Sequence, residues 1–583
     1  MERRSQKKLL RGAFLRISLS NILVLIAFCA CGIIDNLFVG RMLGKDALAA
    51  VGFFSPVTVA VGLCYVVILG TQVLTGNLVG AGKKRDVNRL FSGAVITLSV
   101  YSAIFAICCF VLNRQLAALL GADGEAYELL CDYIKGYAPG IFPQVLVSFL
   151  TALCTFNNEL KRSYFAVGAM IVTNVAGDML LIGGYGLFGI GLASTISSAA
   201  SLLVLIPGFA KKDKLFRFRV HDGIGFDLVL KAAARGLPSL MLTCGVIIRN
   251  YCLNYSLSRY AGAAGVAVAG IMATVSSLVS AVPSGGSNAY AALAGICFGE
   301  NDRESLIDLS HIAMRIGTIA CAFLTGLTML LSNPLAKLFL PADEAVQPLA
   351  ARMFVLAFTC LVPNVLYNIL LQAYRAQNRM VLVNVLSFAE TASMGVFVLF
   401  AIQPFGTDAV WLSNTIIDVL CLIVVLISVV VYNGRIDFSM SALLKLPDSF
   451  GAKEGEFMTF SVVDPEDVIG ASEKVIGFCM EHDYDKQTAS HVGLCLEEIA
   501  GNVLEHGFGK SHNYYADIRV VIREEELTVR VRDNCREFDP RKRIDAFDPD
   551  DPGKNIGIRI VAQIAKTIDY YNNAGTNTLI MKF

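Results

Sequence analysis

A bilayer's hydrocarbon core is about 30 Å thick, so a helix that crosses it needs about 20 mostly apolar residues. The chain offers about twelve such runs, over 17–42, 51–72, 91–112, 134–156, 164–184, 187–209, 236–258, 264–297, 310–331, 353–373, 380–402 and 410–432. The composition agrees: of 583 residues 55% are hydrophobic and 17% charged, and the mean hydropathy is +0.59. Those values exclude a disordered chain, a collagen and an ordinary soluble enzyme. The eighth run contains Pro283, Ser284, Gly285 and Gly286, which predicts a kink or break. The last 128 residues, 456–583, differ: they are rich in charge and acidic on balance, while the rest is basic. A membrane body and a water-soluble tail share one chain.

Loop charges set an orientation. The N-terminus MERRSQKKLLRGAFLR and alternate loops carry Lys83, Lys84, Arg85, Lys161, Arg162, Lys211, Lys212, Lys214, Arg375 and Arg379. The intervening loops hold few, such as Lys45, Arg114, Arg259 and Lys337. Basic loops stay in the cytoplasm, so a multi-pass protein of the cytoplasmic membrane is expected, with both termini and the tail inside. The basic N-terminus reads as an anchor and not a removed signal peptide. The expected divisions are an N-terminal segment (1–16), a six-helix bundle (17–210), a cytoplasmic loop (211–235), a second six-helix bundle (236–432), a linker (433–455) and the tail (456–583). The 16 cysteines, Cys29, Cys31, Cys108 and Cys109 among them, follow no metal or disulfide spacing. They read as small apolar packing residues.

The two halves repeat weakly at an offset near 220. GAGKKRDVNRLFSGA (80–94) matches CFGENDRESLIDLSH (297–311) with Gly82 against Gly299, and Pro143 and Asn158 match Pro363 and Asn378. Duplicated six-helix bundles are a transporter architecture, with the solute path between them.

Acids inside spans are costly, about 2.5–3.5 kcal/mol at the bilayer centre on insertion scales. Asp35 lies in the first span; Asn174 and Asp178 lie in the fifth, four residues apart and so on one helix face. Such a set can hold a proton or a small cation through oxygen ligands. Glu390, Asp418 and Arg249 occupy the second half without an evident partner.

IIDNLFVGRMLGKDALAAVG (33–52), GNLVGAGKKRDVNRL (76–90) and NVAGDMLLIGGYGLFGIGLAST (174–195) resemble the multidrug and toxic compound extrusion (MATE) family, over about 17–432. The resemblance implies a proton- or sodium-coupled exporter of cationic amphipathic compounds. It also implies an N-terminal cation site of Asp35, Asn174, Asp178 and Thr195. A second branch of the family uses a seventh-helix acid; here that region, GLPSLMLTCGVIIRNYCLN, has none.

In the tail, EFMTFSV, ADIRVVI and ELTVRVRD read as strands, and 488–508 and 555–567 as amphipathic helices, which makes an α+β domain. Three stretches carry chemistry. In LEEIAGNVLEHG (496–507), Glu498 and Asn502 stand one turn apart, suiting a base and a Mg2+ ligand. Asp533 ends a strand and can accept a hydrogen bond from an adenine amino group. In PGKNIGIRIVAQIAK (552–566), Gly553 and Gly557 open a helix whose amides can meet phosphates.

The tail is similar to the GHKL ATPase fold, close to anti-sigma-factor serine kinases. That implies ATP and Mg2+, with Glu498 as catalytic base, Asn502 as Mg2+ ligand, Asp533 on adenine, and Gly553, Gly557 and Thr578 around the nucleotide. The family's Asp-x-Gly-x-Gly reads Asp533-Asn534-Cys535-Arg536-Glu537 here, so Cys535 stands where glycine allows close approach to the base. The sequence has no P-loop, GxxxxGK followed by Ser or Thr, so a primary ATP-driven pump is not expected. The leading expectation is a cation-coupled exporter with a regulatory, kinase-like domain. Its partners would be a small cationic substrate, membrane lipid and an anti-sigma-antagonist or sigma-type protein, without nucleic acid. The alternatives are a membrane-tethered kinase or partner-switching regulator with a transporter-like sensor, and a lipid-intermediate flippase.

Overall fold

The structure, a computed structural model, describes residues 4–210, 215–216, 224–340, 344–507, 514–523, 526–541, 556–573 and 575–583. The first crossing is one long helix, α1 (Arg4–Phe38), so the basic segment 4–16 is the start of the membrane helix and not a separate extension. The second crossing is broken into short helices and ends in α2 (Tyr65–Gly80). Helix α3 (Leu160–Ala210) has 51 residues, about 77 Å at 1.5 Å per residue and far more than one crossing needs. Gly186, at φ 55 and ψ −134, reverses it, a conformation open to glycine. The two limbs pack so closely that a Cβ on Gly177 would stand 2.8 Å from the Ala193 Cβ. Among the described residues eleven helical stretches are long and apolar enough to cross a bilayer. The hairpin at Gly186 makes the crossings twelve.

The eighth crossing breaks at Ser280, before α4 (Ala281–Gly299). Pro283 lacks the N–H that would bond Val279, which accounts for the break. Next come α5 (Arg303–Leu330), α6 (Met380–Phe405) and α7 (Thr407–Asn433). Each bundle has its own apolar core, one centred on Phe54, Phe149 and Phe156, the other on Tyr290, Tyr367 and Trp411. Helix α1 serves both. Its Leu10, Phe14 and Ile17 join the second core, while its far half faces α3.

The repeat is visible in backbone conformation. Asn158 and Asn378 both take positive φ, 52° and 61°, as the residue that ends equivalent loops. Gly82 (φ 75) corresponds in conformation to Asn301 (φ 57), and not to Gly299 as the sequence alignment had it. The register is two residues off because Gly80 is the true counterpart of Gly299. Helices α2 and α4 cross at these glycines: a Cβ on Gly80 would stand 2.2 Å from the Ile296 carbonyl oxygen, and one on Gly299 2.3 Å from that of Asn77.

Residues 433–455 are a packed strap and not a free linker. Tyr374 Oη donates to the Leu443 carbonyl at 2.7 Å, Arg379 to that of Lys445 at 2.8 Å, and Phe450 stacks on Phe298 at 4.9 Å. The tail follows: β1 (Phe457–Val462), α8 (Pro465–Glu481), α9 (Lys486–Asn502), β2 (Ala516–Arg523), β3 (Glu526–Asp533), α10 (Ile556–Ile564), β4 (Thr567–Asn573) and β5 (Thr576–Lys582). The strands form one antiparallel sheet in the order β1-β2-β3-β5-β4.

Strand alternation divides the sheet. Ile518, Val520, Val529, Val531, Leu579 and Met581 build a core with α8 and α9. Their neighbours Asp517, Arg519, Arg530, Arg532 and Thr578 point to the opposite face, which rests on the membrane body. Arg530 reaches Glu300 at 2.7 Å and Asp302 at 2.6 Å, while Arg519 reaches Asp302 at 2.9 Å and Glu304 at 2.6 Å. Arg532 bonds Glu300 at 2.7 Å. Burial pushes the Asp302 carboxyl up, but Arg519, Arg530 and two bonds from Ser305 together hold it well below the usual carboxylate range. On the other bundle, Tyr571 Oη lies 3.3 Å from where a Gly82 Cβ would be. The tail therefore touches equivalent loops of both bundles.

Gly299→Val should force α2 and α4 apart. Overpacking of this kind costs about 1–3 kcal/mol, read as a lowered unfolding temperature of the purified protein. Gly168→Ala, whose added methyl meets nothing within 4 Å, should leave that temperature unchanged or slightly higher.

Candidate functional site

Asn174 and Asp178 sit one turn apart on the first limb of α3, both buried. Asp35 of α1 comes within hydrogen-bonding reach of both, and Ser194 on the second limb donates to Asp35 Oδ2 at 3.2 Å. Helix pairing thus gathers three of the four sequence candidates. Several of its oxygens lack a donor. Asp35 Oδ1, Asn174 Oδ1 and both oxygens of Asp178 are buried without a hydrogen-bond partner. Two carboxylates side by side repel, and a shared proton or a small cation removes the repulsion. Hard oxygen ligands suit either. Thr195 is not brought in: its hydroxyl donates to the Gly136 carbonyl at 2.7 Å, in a notch where a Cβ on Gly140 would collide with it. Neighbours on a helix point about 100° apart, and that one step puts Ser194 against Asp35.

The second bundle supplies the partners the sequence left open. Asn364 Nδ2 donates to Asp418 Oδ2 at 3.2 Å and to Glu390 Oε1 at 3.4 Å. Arg249 faces the same cavity, of about 630 Å3, with Asn250 and Asn414. The cavity mixes acids, amides and apolar walls, as a pocket for an amphipathic molecule would.

In the tail, a small cavity is walled by Ile499, Val503, Val531 and Leu579, with Asn502 and Asp533 on its rim. Asp533 Oδ1 accepts from Asn577 Nδ2 at 2.7 Å and from the Cys535 amide at 2.8 Å. Tyr570 Oη donates to Asn577 Oδ1 at 2.8 Å and fixes that amide. Burial raises the Asp533 carboxyl above its ordinary range, while Asn577 and Cys535 pull against that. The Cys535 thiol itself is within reach of the carboxylate. Asn502 Nδ2 donates to the Glu498 carbonyl at 2.6 Å, which leaves Asn502 Oδ1 to face a ligand. Gly557 lies flat on Glu498: a Cβ there would come within 1.7 Å of Glu498 Oε2. An apolar slot, an acidic acceptor, an amide oxygen and a glycine at a helix start together fit a Mg-nucleotide. Gly553 lies outside the described residues.

Thr578 is on the wrong face for this site. Its hydroxyl accepts from Arg532 at 3.2 Å, toward the membrane body. Asn577, paired with Asp533 across the sheet, takes the place beside the acid. The period of two along ELTVRVRD and TNTLIMK was the signal that would have found it.

The geometry defines a two-bundle membrane protein of transporter architecture carrying a nucleotide-binding type of soluble domain. The chain belongs to the MatE family, which matches residues 21–180 and 238–401. Residues 462–583 match the histidine kinase-like ATPase domain family. A relative named multidrug export protein MepA, from Staphylococcus aureus strain MRSA252, is 22% identical over 432 residues, 71% of this chain and 92% of its own. Another, named probable multidrug resistance protein YoeA, from Bacillus subtilis strain 168, is 20% identical over 331 residues, 54% of this chain and 70% of its own. A solved MOP-superfamily transporter from Pyrococcus furiosus shares the fold at TM-score 0.66 and 21% identity, covering 73% of this chain and 96% of its own.

Asn577→Ala should weaken ATP binding by about tenfold, the worth of one buried hydrogen bond, in calorimetry on the full-length protein. Thr578→Val should stay within about twofold of wild type, since a group on the far face contributes nothing to the pocket. Cys535→Gly should tighten binding.

Proposed function

We propose that the protein is a cation-coupled antiporter, driven by H+ or Na+, that exports cationic amphipathic compounds across the cytoplasmic membrane under the control of its ATP-binding tail. The cluster of Asp35, Asn174 and Asp178, in which four buried oxygens have no hydrogen-bond partner, carries this reading. Such a site binds a proton or cation from one side and must release it before the carboxylates can serve the opposite state. The names of MepA and YoeA, which speak of multidrug export and multidrug resistance, support export of drug-like compounds.

The basic loops support a cytoplasmic tail, where ATP is available. Glu498 would be the base and Asn502 the Mg2+ ligand, with Asp533 on adenine and Gly553 and Gly557 toward the phosphates. ATP does not drive the transport stroke in this account, because the sequence carries no P-loop. Regulation is the better fit. The tail touches loops of both bundles, beside the crossing of α2 and α4. A nucleotide that alters its docking therefore biases whether the bundles part at that end. A second reading, a tethered serine kinase acting on a sigma-pathway protein, draws on Glu498 against Gly557. Phosphate transfer to protein that Glu498→Gln abolishes would favour it.

In proteoliposomes, a proton or sodium gradient without ATP should drive substrate uptake. Asp178→Asn should reduce the rate to background while the protein still folds. Uptake that needs ATP and no gradient would overturn the coupling. Arg519→Met with Arg530→Met should abolish any effect of nucleotide on the transport rate, while nucleotide still binds.

A further inference from the structure

Four cations gather where α1 and α5 run side by side near the tail. Lys7, Lys8 and Arg11 of α1 and Arg315 of α5 line a cavity of about 430 Å3. Its floor is Ile312, Ile316 and Ile319, which recur along one face of α5. Lys7 pairs with Asp308 at 3.2 Å, and Lys8 lies 4.5 Å over the Tyr515 ring. Among the described residues Arg11 and Arg315 make no ion pair or hydrogen bond.

Arg315 is the last charged residue of α5 before its apolar length, so this level is where the helix enters the bilayer. From here inward the surface is greasy. Leu15, Leu19 and Leu23 on α1 are exposed, as are Ile319 at 62% and Phe323 at 72% on α5. The feature is a furrow with a cationic mouth and an apolar bed. Basic pockets between membrane helices at the headgroup level suit anionic headgroups.

We propose that this furrow binds one anionic phospholipid, its phosphate between Arg11 and Arg315 and an acyl chain along Ile312, Ile316 and Ile319. Charge complementarity chooses the headgroup, and the isoleucine floor chooses a lipid over a free anion. Lys8 leans on Tyr515 of the tail, and the Ser5 amide donates to Ser461 Oγ at 3.1 Å. A lipid held here therefore adjoins the segment on which the tail rests. The inference does not depend on the transport reading; the orientation proposed above decides only which leaflet supplies the lipid.

The full-length protein is reconstituted in vesicles of equal phosphatidylcholine and phosphatidylglycerol, and the lipids it retains are counted by native mass spectrometry. Wild type should retain one phosphatidylglycerol in preference, less so as salt is raised. Each cation near a membrane surface is worth about a fivefold preference, so Arg11→Gln with Arg315→Gln should weaken retention by about thirtyfold. Arg11→Lys with Arg315→Lys should keep most of it. Ile319→Trp, at an exposed position, should block the furrow with its cations intact, and serves if the glutamine variant fails to fold. Equal retention of both lipids by wild type, or unchanged retention in the glutamine or tryptophan variant, would overturn the proposal. So would displacement of the lipid by inorganic phosphate, which would mark a free-anion site.

Discussion

A charge taken out of water must be compensated where it lies, and this molecule meets that constraint in two opposite ways. At the junction between body and tail most of the charge is paired. Arg519, Arg530 and Arg532 share Glu300, Asp302 and Glu304, all within ion-pair distance. Removing one member of a buried pair costs about 3–5 kcal/mol, so the tail is held by a contact that does not let go of its parts singly. Inside the first bundle the compensation is incomplete. Asp35 Oδ1 and both oxygens of Asp178 are buried without a hydrogen-bond partner. The paired cluster fixes architecture, and the other is the one on which the proposed ion coupling rests.

Helix α1 connects these two places. Its basic end packs on the second bundle and beside the tail, and its far end carries Asp35 to α3. Any motion that separates the bundles must therefore act on this helix and on the Asp35 carboxyl together. The tail adds contacts on both sides of the α2–α4 crossing, where glycines let backbones touch. Symmetry of the two halves places Gly80 and Gly299 opposite each other, and the tail sits next to the loops that follow them.

Much of this was legible in the sequence. Length of apolar run specified the crossings, including the reversal at Gly186 between two predicted spans. The cost of intramembrane acids singled out Asp35 and Asp178, helical spacing added Asn174, and the three do meet. What escaped was orientation at the level of a single residue. Thr195 gave way to Ser194 because one helical step turns the side chain by about 100°. Thr578 gave way to Asn577 because one strand step changes the face. The partner of Arg530 in VRVRD lies 228 residues away at Asp302, and no local pattern reports such a pairing. The 433–455 segment read as a linker because glycine and proline mark turns, whereas Leu444, Leu446 and Phe450 bury themselves against the second bundle.

The central claim is that the acid pair holds an ion that the substrate displaces. It is tested most directly by counting cations released when substrate binds to the purified protein, with a pH-sensitive dye in weak buffer and with labelled sodium. The account predicts release of a proton or a sodium ion from wild type, and none from Asp35→Asn with Asp178→Asn. Substrate binding to wild type with no ion released, or equal release from the double variant, would contradict it.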